Sequence, residues 1–392
     1  MRILVLGAGM YVTGRHETGH GVVLSALAQI SRTNPVERVL VVARDPANAD
    51  HVAEAAARIN STLGASLRID YQTIPGIDLA LEMAALCSRE RFDCAIVSTP
   101  DHLHEAPLRG LMGGGIPTLV VKPLAPTLAE GRALLALQRE TGVYCAVEFH
   151  KRFDEGNLYA KRVITEGALG RLLYMSVDYS QRIQIPRQVF RNWTARSNIF
   201  QYLGVHYVDL IHFLTGFHPR RVTAYGTRGI LEREGIDAFD SIHVMIEWDG
   251  PLGRNEPFLS HHNSNWIDPD TNSAMSDQRF KIVGTKGRIE CDQRNRGIEL
   301  VREGTGVALI NPYYAEFLPD VDGNLEFQGY SLKSIARFIA DVVLLKRGET
   351  SLSHLDKTRP SLRQALVSTA VIDAVNRALC AGPAWREIDG FS

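Results

Sequence analysis

Six short apolar runs, separated by segments of helical period, occupy the first 150 residues, and few folds can accommodate that alternation. The runs are Ile3 to Leu6, Val39 to Ala43, Leu67 to Tyr71, Cys94 to Ser98, Thr118 to Val121 and Val143 to Phe149. Ile3 to Leu6 is continuous rather than alternating, as expected of a strand covered on both faces, and Leu67 to Tyr71 is the weaker strand of the set. Between them, Val22 to Ile30, Ala53 to Leu63, Leu79 to Cys87, His104 to Met112 and Leu128 to Arg139 read as helices. Strand and helix in alternation give a doubly wound parallel sheet with right-handed crossovers. The opening MRILVLGAGMYV is read as the first buried strand and its turn rather than as a signal peptide, because glycines interrupt the run and polar residues follow it.

Beyond Phe149 the pattern changes. A helix from Gly156 to Glu166 precedes longer β-branched and aromatic runs: Leu172 to Tyr179, Val222 to Tyr225, Ile242 to Trp248, Phe280 to Val283 and Ile298 to Val301. Turn signals such as Asp249-Gly250 separate them, so a large, mostly antiparallel open sheet is expected. Two helices, Ser331 to Lys346 and Ser361 to Leu379, close the chain. The 392 residues suit two domains, 1–150 and 151–392, with a helix over 359–381 packing back on the first.

Composition narrows the partners. Lys plus Arg is 43 and Asp plus Glu is 44, a net charge of −1, which lacks the basic excess of nucleic-acid binders. No run approaches the roughly 18 apolar residues of a membrane span. The five cysteines are widely spaced with no CxxC, a pattern that fits a reducing cytoplasm rather than a disulfide framework. Asp268, Asp270 and Asn272 imitate the start of a calcium loop. Ser273 stands where that loop needs glycine and Arg279 where it needs Glu, so no metal is expected there. The pairs His102/His104 and His261/His262 make no metal set either.

The chemistry-bearing motifs lie at strand ends. GAGMYVTGR follows the first strand, and Gly7 and Gly9, with Met10 and Tyr11 next in the loop, allow a backbone approach to a pyrophosphate. Val12 occupies the position of a third glycine, and the loop reads as long, with its helix starting near Gly21. At the second strand end, Ala43-Arg44-Asp45 places a small residue and a cation where a 2′-phosphate would sit, so NADP is favoured over NAD. Asp45 as a ribose acceptor is the competing reading. STPDHLHEAP supplies Ser98, Thr99, Pro100 and His104 at the fourth strand end, and VVKPLA supplies Lys122 at the fifth. A lysine there can hold a substrate oxygen and stabilise its charge; alone, it would read as an exposed strand-end lysine.

Together with VEFHKRFD, TEGALGRL, YLGVHYVDL and PSLRQALVSTAVIDA, these motifs resemble the Gfo/Idh/MocA family, the group of glucose-fructose oxidoreductase and inositol dehydrogenase. The resemblance implies an N-terminal Rossmann sheet, a C-terminal α+β domain and a homodimer or homotetramer. It also implies an NAD(P)-dependent oxidoreductase that interconverts a ring hydroxyl and a ketone on a sugar, amino sugar, sugar nucleotide or cyclitol. The family's Glu-Lys-Pro is here Val121-Lys122-Pro123, and its Asp-x-x-x-His is Tyr202-Leu-Gly-Val-His206. Lys122 and His206 then become the catalytic pair, with Tyr202, four residues before His206, as a further donor and Asp209 beside the substrate. His150, Lys151, Arg152, Arg191 and Trp193 are candidate substrate contacts, and the arginines of RIQIPRQVFRNW suggest an anionic group such as a phosphate or a nucleotide diphosphate. Two other readings stay open: a non-redox enzyme of the same fold that uses tightly held NAD transiently, and a non-catalytic dinucleotide sensor.

Overall fold

The computed structural model describes residues 1–14, 19–191, 193–250, 253–272, 275–294, 296–304, 306–388 and 390–391. Ser273 of the calcium-like stretch, and part of the polar stretch after Gly14, lie outside them. The chain forms two compact units. The first comprises Met1–Ala125, Ala129–Asp154 and Pro312–Ala365; the second comprises Pro126–Leu128, Glu155–Asn311 and Leu366–Ser392.

In the first unit β1 (Arg2–Leu6), β2 (Arg38–Ala43), β3 (Ile69–Thr73), β4 (Cys94–Val97), β5 (Thr118–Val121) and β6 (Cys145–Glu148) form one sheet. Its order is β3-β2-β1-β4-β5-β6 and every pair is parallel. Connecting them are α1 (Met10–Thr13), α2 (Val22–Ser31), α3 (Asn48–Leu63), α4 (Leu79–Arg89), α5 (Glu105–Gly113) and α6 (Leu128–Thr141). Ile3, Val5, Val39, Val41 and Ile96 are buried, as continuous apolar strands between two helix layers must be. Strand order reverses between β1 and β4, so the chain ends following these strands diverge and leave a crevice at the carboxyl edge. The long helix begins at Val22, next to the expected Gly21, and the stretch after Gly9 adds one short turn, α1, that was not anticipated.

The second unit contains α7 (Glu155–Thr165), β7 (Leu172–Arg182), α8 (Val205–Thr215), β8 (His218–Thr227), α9 (Ile230–Arg233), β9 (Ser241–Gly250) and β10 (Gly253–Asp268). It continues with β11 (Ser276–Gly284), β12 (Arg288–Asp292), β13 (Ile298–Arg302) and β14 (Gly306–Ile310). The large sheet runs β12-β11-β7-β10-β9-β8, and all pairs are antiparallel except β7 with β10. On its inner face Met175, Val177, Val244, Ile246 and Trp266 pack with Leu210 and Ile211 of α8. One strand was not anticipated and one is placed differently. The polar stretch from His261 to Asp268 is the second half of β10. Its inward residues Ser260, His262 and Ser264 are buried but polar, which erased the alternation. Ile298 to Val301 is a strand, but it pairs with β14 in a separate hairpin and not with the large sheet.

The chain then returns to the first unit as β15 (Glu316–Pro319), β16 (Leu325–Gln328), α10 (Tyr330–Lys346) and α11 (Leu352–Thr358). Phe327, Ile335, Phe338, Ile339 and Val342 share one core with Ile3, Val5, Leu24 and Leu27. Phe338 stacks on Tyr144 with ring centroids 5.7 Å apart. Fully buried Asp341 accepts two bonds from Arg359, at 2.6 and 3.1 Å. A single boundary near 150 therefore does not describe the compact units, because 312–365 belongs with the first by its packing. α12 (Leu362–Ala381) starts in the first unit and runs through the second, and β17 (Arg386–Glu387) extends the large sheet beside β8. Among the described residues, no helix is long and apolar enough to cross a membrane.

Candidate active site

The carboxyl edge of the first unit's sheet is built around Gly7. Its φ of +110° lies in the region that disfavours side chains, and a Cβ there would stand 2.1 Å from the Ser98 carbonyl oxygen. This close approach joins the ends of β1 and β4. Gly9 differs, being exposed, with open space where a Cβ would project. Thr99 at the end of β4 has a buried hydroxyl with no partner among the described residues. A bare backbone turn beside an unsatisfied donor fits a dinucleotide, whose phosphates and ribose need such partners.

Arg44 is exposed just beyond β2, with its stem lying over Gly76, where a Cβ would meet Arg44 Cδ at 2.0 Å. The Asp45 carboxylate accepts the Ala47 backbone N–H at 2.9 Å and closes its own turn. The carboxylate that would serve NAD is thus engaged locally, while the cation stays presented. His104 was expected at the cofactor. It is instead fully buried, with Nδ1 2.8 Å from the Pro123 carbonyl and Nε2 3.0 Å from the Thr99 carbonyl. It braces the loop after β4 against the turn after β5, and burial lowers its pKa.

That turn carries Lys122, followed by a cis bond to Pro123. Lys122 is partly buried, and desolvation lowers its pKa to about 7 against the opposing pull of Asp101 and Glu148. Asp101 and Glu148 are both buried. Glu148 ends β6, in register with Val121. Its Oε2 accepts the Tyr11 hydroxyl at 2.7 Å and lies 3.2 Å from His150 Nδ1. Burial and Glu148 together hold the Tyr11 phenol far above its usual pKa, so Tyr11 stays a donor. His150 lies against Tyr314 and Tyr330, at centroid distances of 5.3 and 5.6 Å. Lys151 and Arg152 are buried, and Arg152 donates to Gln364 at 2.9 Å.

Lys122, Tyr11 and His150, foreseen separately, thus share one polar cluster. Asp101, Glu148, Tyr314 and Tyr330 escaped sequence reasoning. Glu148 stood inside a motif already singled out and was signalled only by strand pairing, whereas the two tyrosines arrive from the returning segment.

In the second unit, Tyr202 sits in a widened π-type turn, Phe200–Gly204, and His206 in the first turn of α8. Such turns recur at functional sites. The backbone across these two residues therefore departs from a regular α-helix. His206 and Asp209 are buried. Tyr202 packs against Phe190 and Trp193, at centroid distances of 4.7 and 5.9 Å. The arginine-rich linker is less available than expected. Arg187 is paired with Glu234 at 2.7 Å, and Arg182 donates to the Asn272 carbonyl, while Arg191 is exposed.

The chain's similarities agree with this geometry. A family model described as the oxidoreductase family with NAD-binding Rossmann fold matches residues 1–149, and the GFO/IDH/MocA C-terminal domain matches 157–290. The 2,7-anhydro-N-acetylneuraminate hydratase of Mediterraneibacter gnavus is 26% identical over 296 residues, 75% of this chain and 71% of that protein. The NADP(+)-dependent scyllo-inositol 2-dehydrogenase IolW of Bacillus subtilis is 27% identical over 176 residues, 44% of this chain. That match spans about half of IolW, 48% of its length. The crystal structure of a myo-inositol dehydrogenase from Corynebacterium glutamicum superposes with a TM-score of 0.66 at 17% identity, over 100% of this chain and 99% of that one.

Proposed function

Because the chain belongs to the GFO/IDH/MocA oxidoreductase family, we propose that it transfers hydride between a nicotinamide dinucleotide and a ring hydroxyl or ketone. The substrate is a small sugar-like molecule: a sugar, amino sugar, sugar nucleotide or cyclitol. The observation that carries this reading is the partly buried Lys122 at the carboxyl edge, flanked by two buried carboxylates and lowered to a pKa of about 7. A group poised near neutrality can hold an oxygen as its proton leaves or returns.

The dinucleotide, when bound, accepts or donates the hydride. Gly7 and Gly9 would open the backbone for its phosphates, and Ser98, Thr99 and Pro100 would help hold it. Lys122 holds the reacting oxygen and stabilises its partial negative charge. His206 takes the hydroxyl proton in oxidation and returns it in reduction, and Tyr202 is a second donor. The pH profile works through Lys122. Its ammonium is present below a pH of about 7 and is lost above it, so polarisation of the oxygen weakens as pH rises.

A panel of sugars, sugar phosphates, sugar nucleotides and inositols, followed by nicotinamide absorbance with NAD and NADP in parallel, tests the reading. Turnover with at least one class is expected, and silence across the panel counts against it. Preference for NADP rests on Arg44. Arg44→Asp is expected to lower the NADP-over-NAD ratio of kcat/KM by about 100-fold, the worth of one charge-assisted contact of ~2.7 kcal/mol. An unchanged ratio refutes that assignment.

Similarity to a hydratase supports a second reading, in which oxidation is transient and the net reaction is not redox. It requires dinucleotide retained through purification and substrate consumption with no net absorbance change. A cytoplasmic setting is part of this reading. The homodimer or homotetramer expected from the family is tested by the mass in solution.

A further inference from the structure

We propose that Glu148 is the residue that positions Lys122 and couples it to the dinucleotide turn, supplying from β6 the acid that is absent at position 121 on β5. This rests on the catalytic reading of Lys122. The register of the parallel pair sets Glu148 directly beside Val121, one residue before the lysine. The carboxylate is about 2% exposed, and its two oxygens are used unequally. Oε2 accepts the Tyr11 hydroxyl and faces His150, whereas Oε1 is buried with no partner among the described residues. An orphaned carboxylate oxygen in such a place is costly unless a donor or a cation answers it.

The cation whose charge Glu148 supports is Lys122. Among the described residues, the titratable groups that act on this carboxylate include Tyr11 from α1, Lys122 after β5 and His150 after β6, and Tyr314 from the returning segment reaches Tyr11. The other acid acting on the lysine, Asp101, already accepts the His102 N–H at 2.8 Å. Tyr11 lies two residues after Gly9, so one carboxylate ties the turn that meets the phosphates to the strand end that carries the lysine. Glu148 touches neither substrate nor hydride in this scheme, and its role is positional.

The test separates this role from the enzyme's chemistry. The Lys122 side chain is titrated by NMR in full-length protein, its signal assigned by its loss in Lys122→Arg. Glu148→Gln keeps an acceptor for Tyr11 and removes the charge. The Lys122 pKa should fall by about one unit, as for loss of a neighbouring opposite charge, with a melting temperature close to that of the parent. Glu148→Asp should restore part of the shift, and Val121→Glu in the Glu148→Gln background should restore more. An unmoved Lys122 pKa in folded Glu148→Gln overturns the proposal. If Glu148→Gln does not fold, the Glu148→Asp titration decides, and an unmoved pKa there overturns it equally. A shifted pKa in a protein whose turnover survives Lys122→Ala would sustain the positioning and refute the catalytic reading.

Discussion

Lys122→Ala and His206→Ala are each expected to lower kcat by about 10²–10⁴, the range for removing a positioned acid, base or charge stabiliser. Dinucleotide affinity should stay within a few-fold, because the turn at Gly7 and Gly9 does not use either side chain. The pH profile gives a second signature. Lys122 is held by burial at about 7, so the parent's rate should decline as pH rises through that value, and the limb should vanish in Lys122→Ala. Under the proposed mechanism the double variant should be little worse than the poorer single one, since groups that act on one step fail together. His206 is only 3% exposed, so His206→Gln provides a variant of similar bulk in case alanine unsettles α8. Full turnover in folded Lys122→Ala or His206→Gln would remove the mechanism. Under the hydratase-like alternative the same substitutions should stop substrate consumption, which distinguishes a catalyst from a dinucleotide sensor in either case.

Gly7→Ala is expected to cost about 3 kcal/mol or more in stability. Strain at a disfavoured backbone conformation alone amounts to about 1–3 kcal/mol. The methyl would also stand 2.1 Å from the backbone carbonyl oxygen of Ser98, a residue fixed by its N–H bond to the Leu6 carbonyl and with no flexible end to move aside. Gly9→Ala forms the contrast. Its φ is −74° and its Cβ meets open space, so the fold should be unaffected while the methyl occupies the approach to the phosphates. Melting curves should therefore separate the two variants, and dinucleotide titration should show Gly9→Ala weakened about tenfold or more despite a parent-like melt. A Gly7→Ala protein that melts with its parent would show that the β1–β4 junction yields more readily than its geometry implies.

Apart from the more polar β3, the strands of the first unit were legible because they announce their environment in their own residues. RILVL and RVLVVA are apolar on both faces, and only a covered parallel sheet uses such runs. The fingerprint glycines and the Lys-Pro turn were legible for a similar reason, as local backbone demands written locally. β10 was not, because its inward positions carry Ser260, His262 and Ser264; Ser260 is answered by Trp248 of β9 and by His262 of β10 itself, whereas the Ser264 hydroxyl has no partner among the described residues. Trp248 Nε1 donates to Ser260 Oγ at 2.8 Å, and His262 Nε2 lies 2.9 Å from the same oxygen.

The site divides along the same line. Which residues can polarise, protonate or present bare backbone was determined by residue type and local position: Gly7, Gly9, Arg44, Thr99 and Lys122 after strands, and His206 on α8. Which of them meet, and in what state of charge, was decided by the tertiary structure. Glu148 comes beside Lys122 only through the pairing of β6 with β5, and Tyr314 and Tyr330 reach His150 only because 312–365 folds back into the first unit. Periodicity and turn chemistry act between neighbours in the chain and can be read from them. Register, desolvation and the return of a distant segment depend on contacts between residues far apart in sequence, and the chain acquires these only once it has folded.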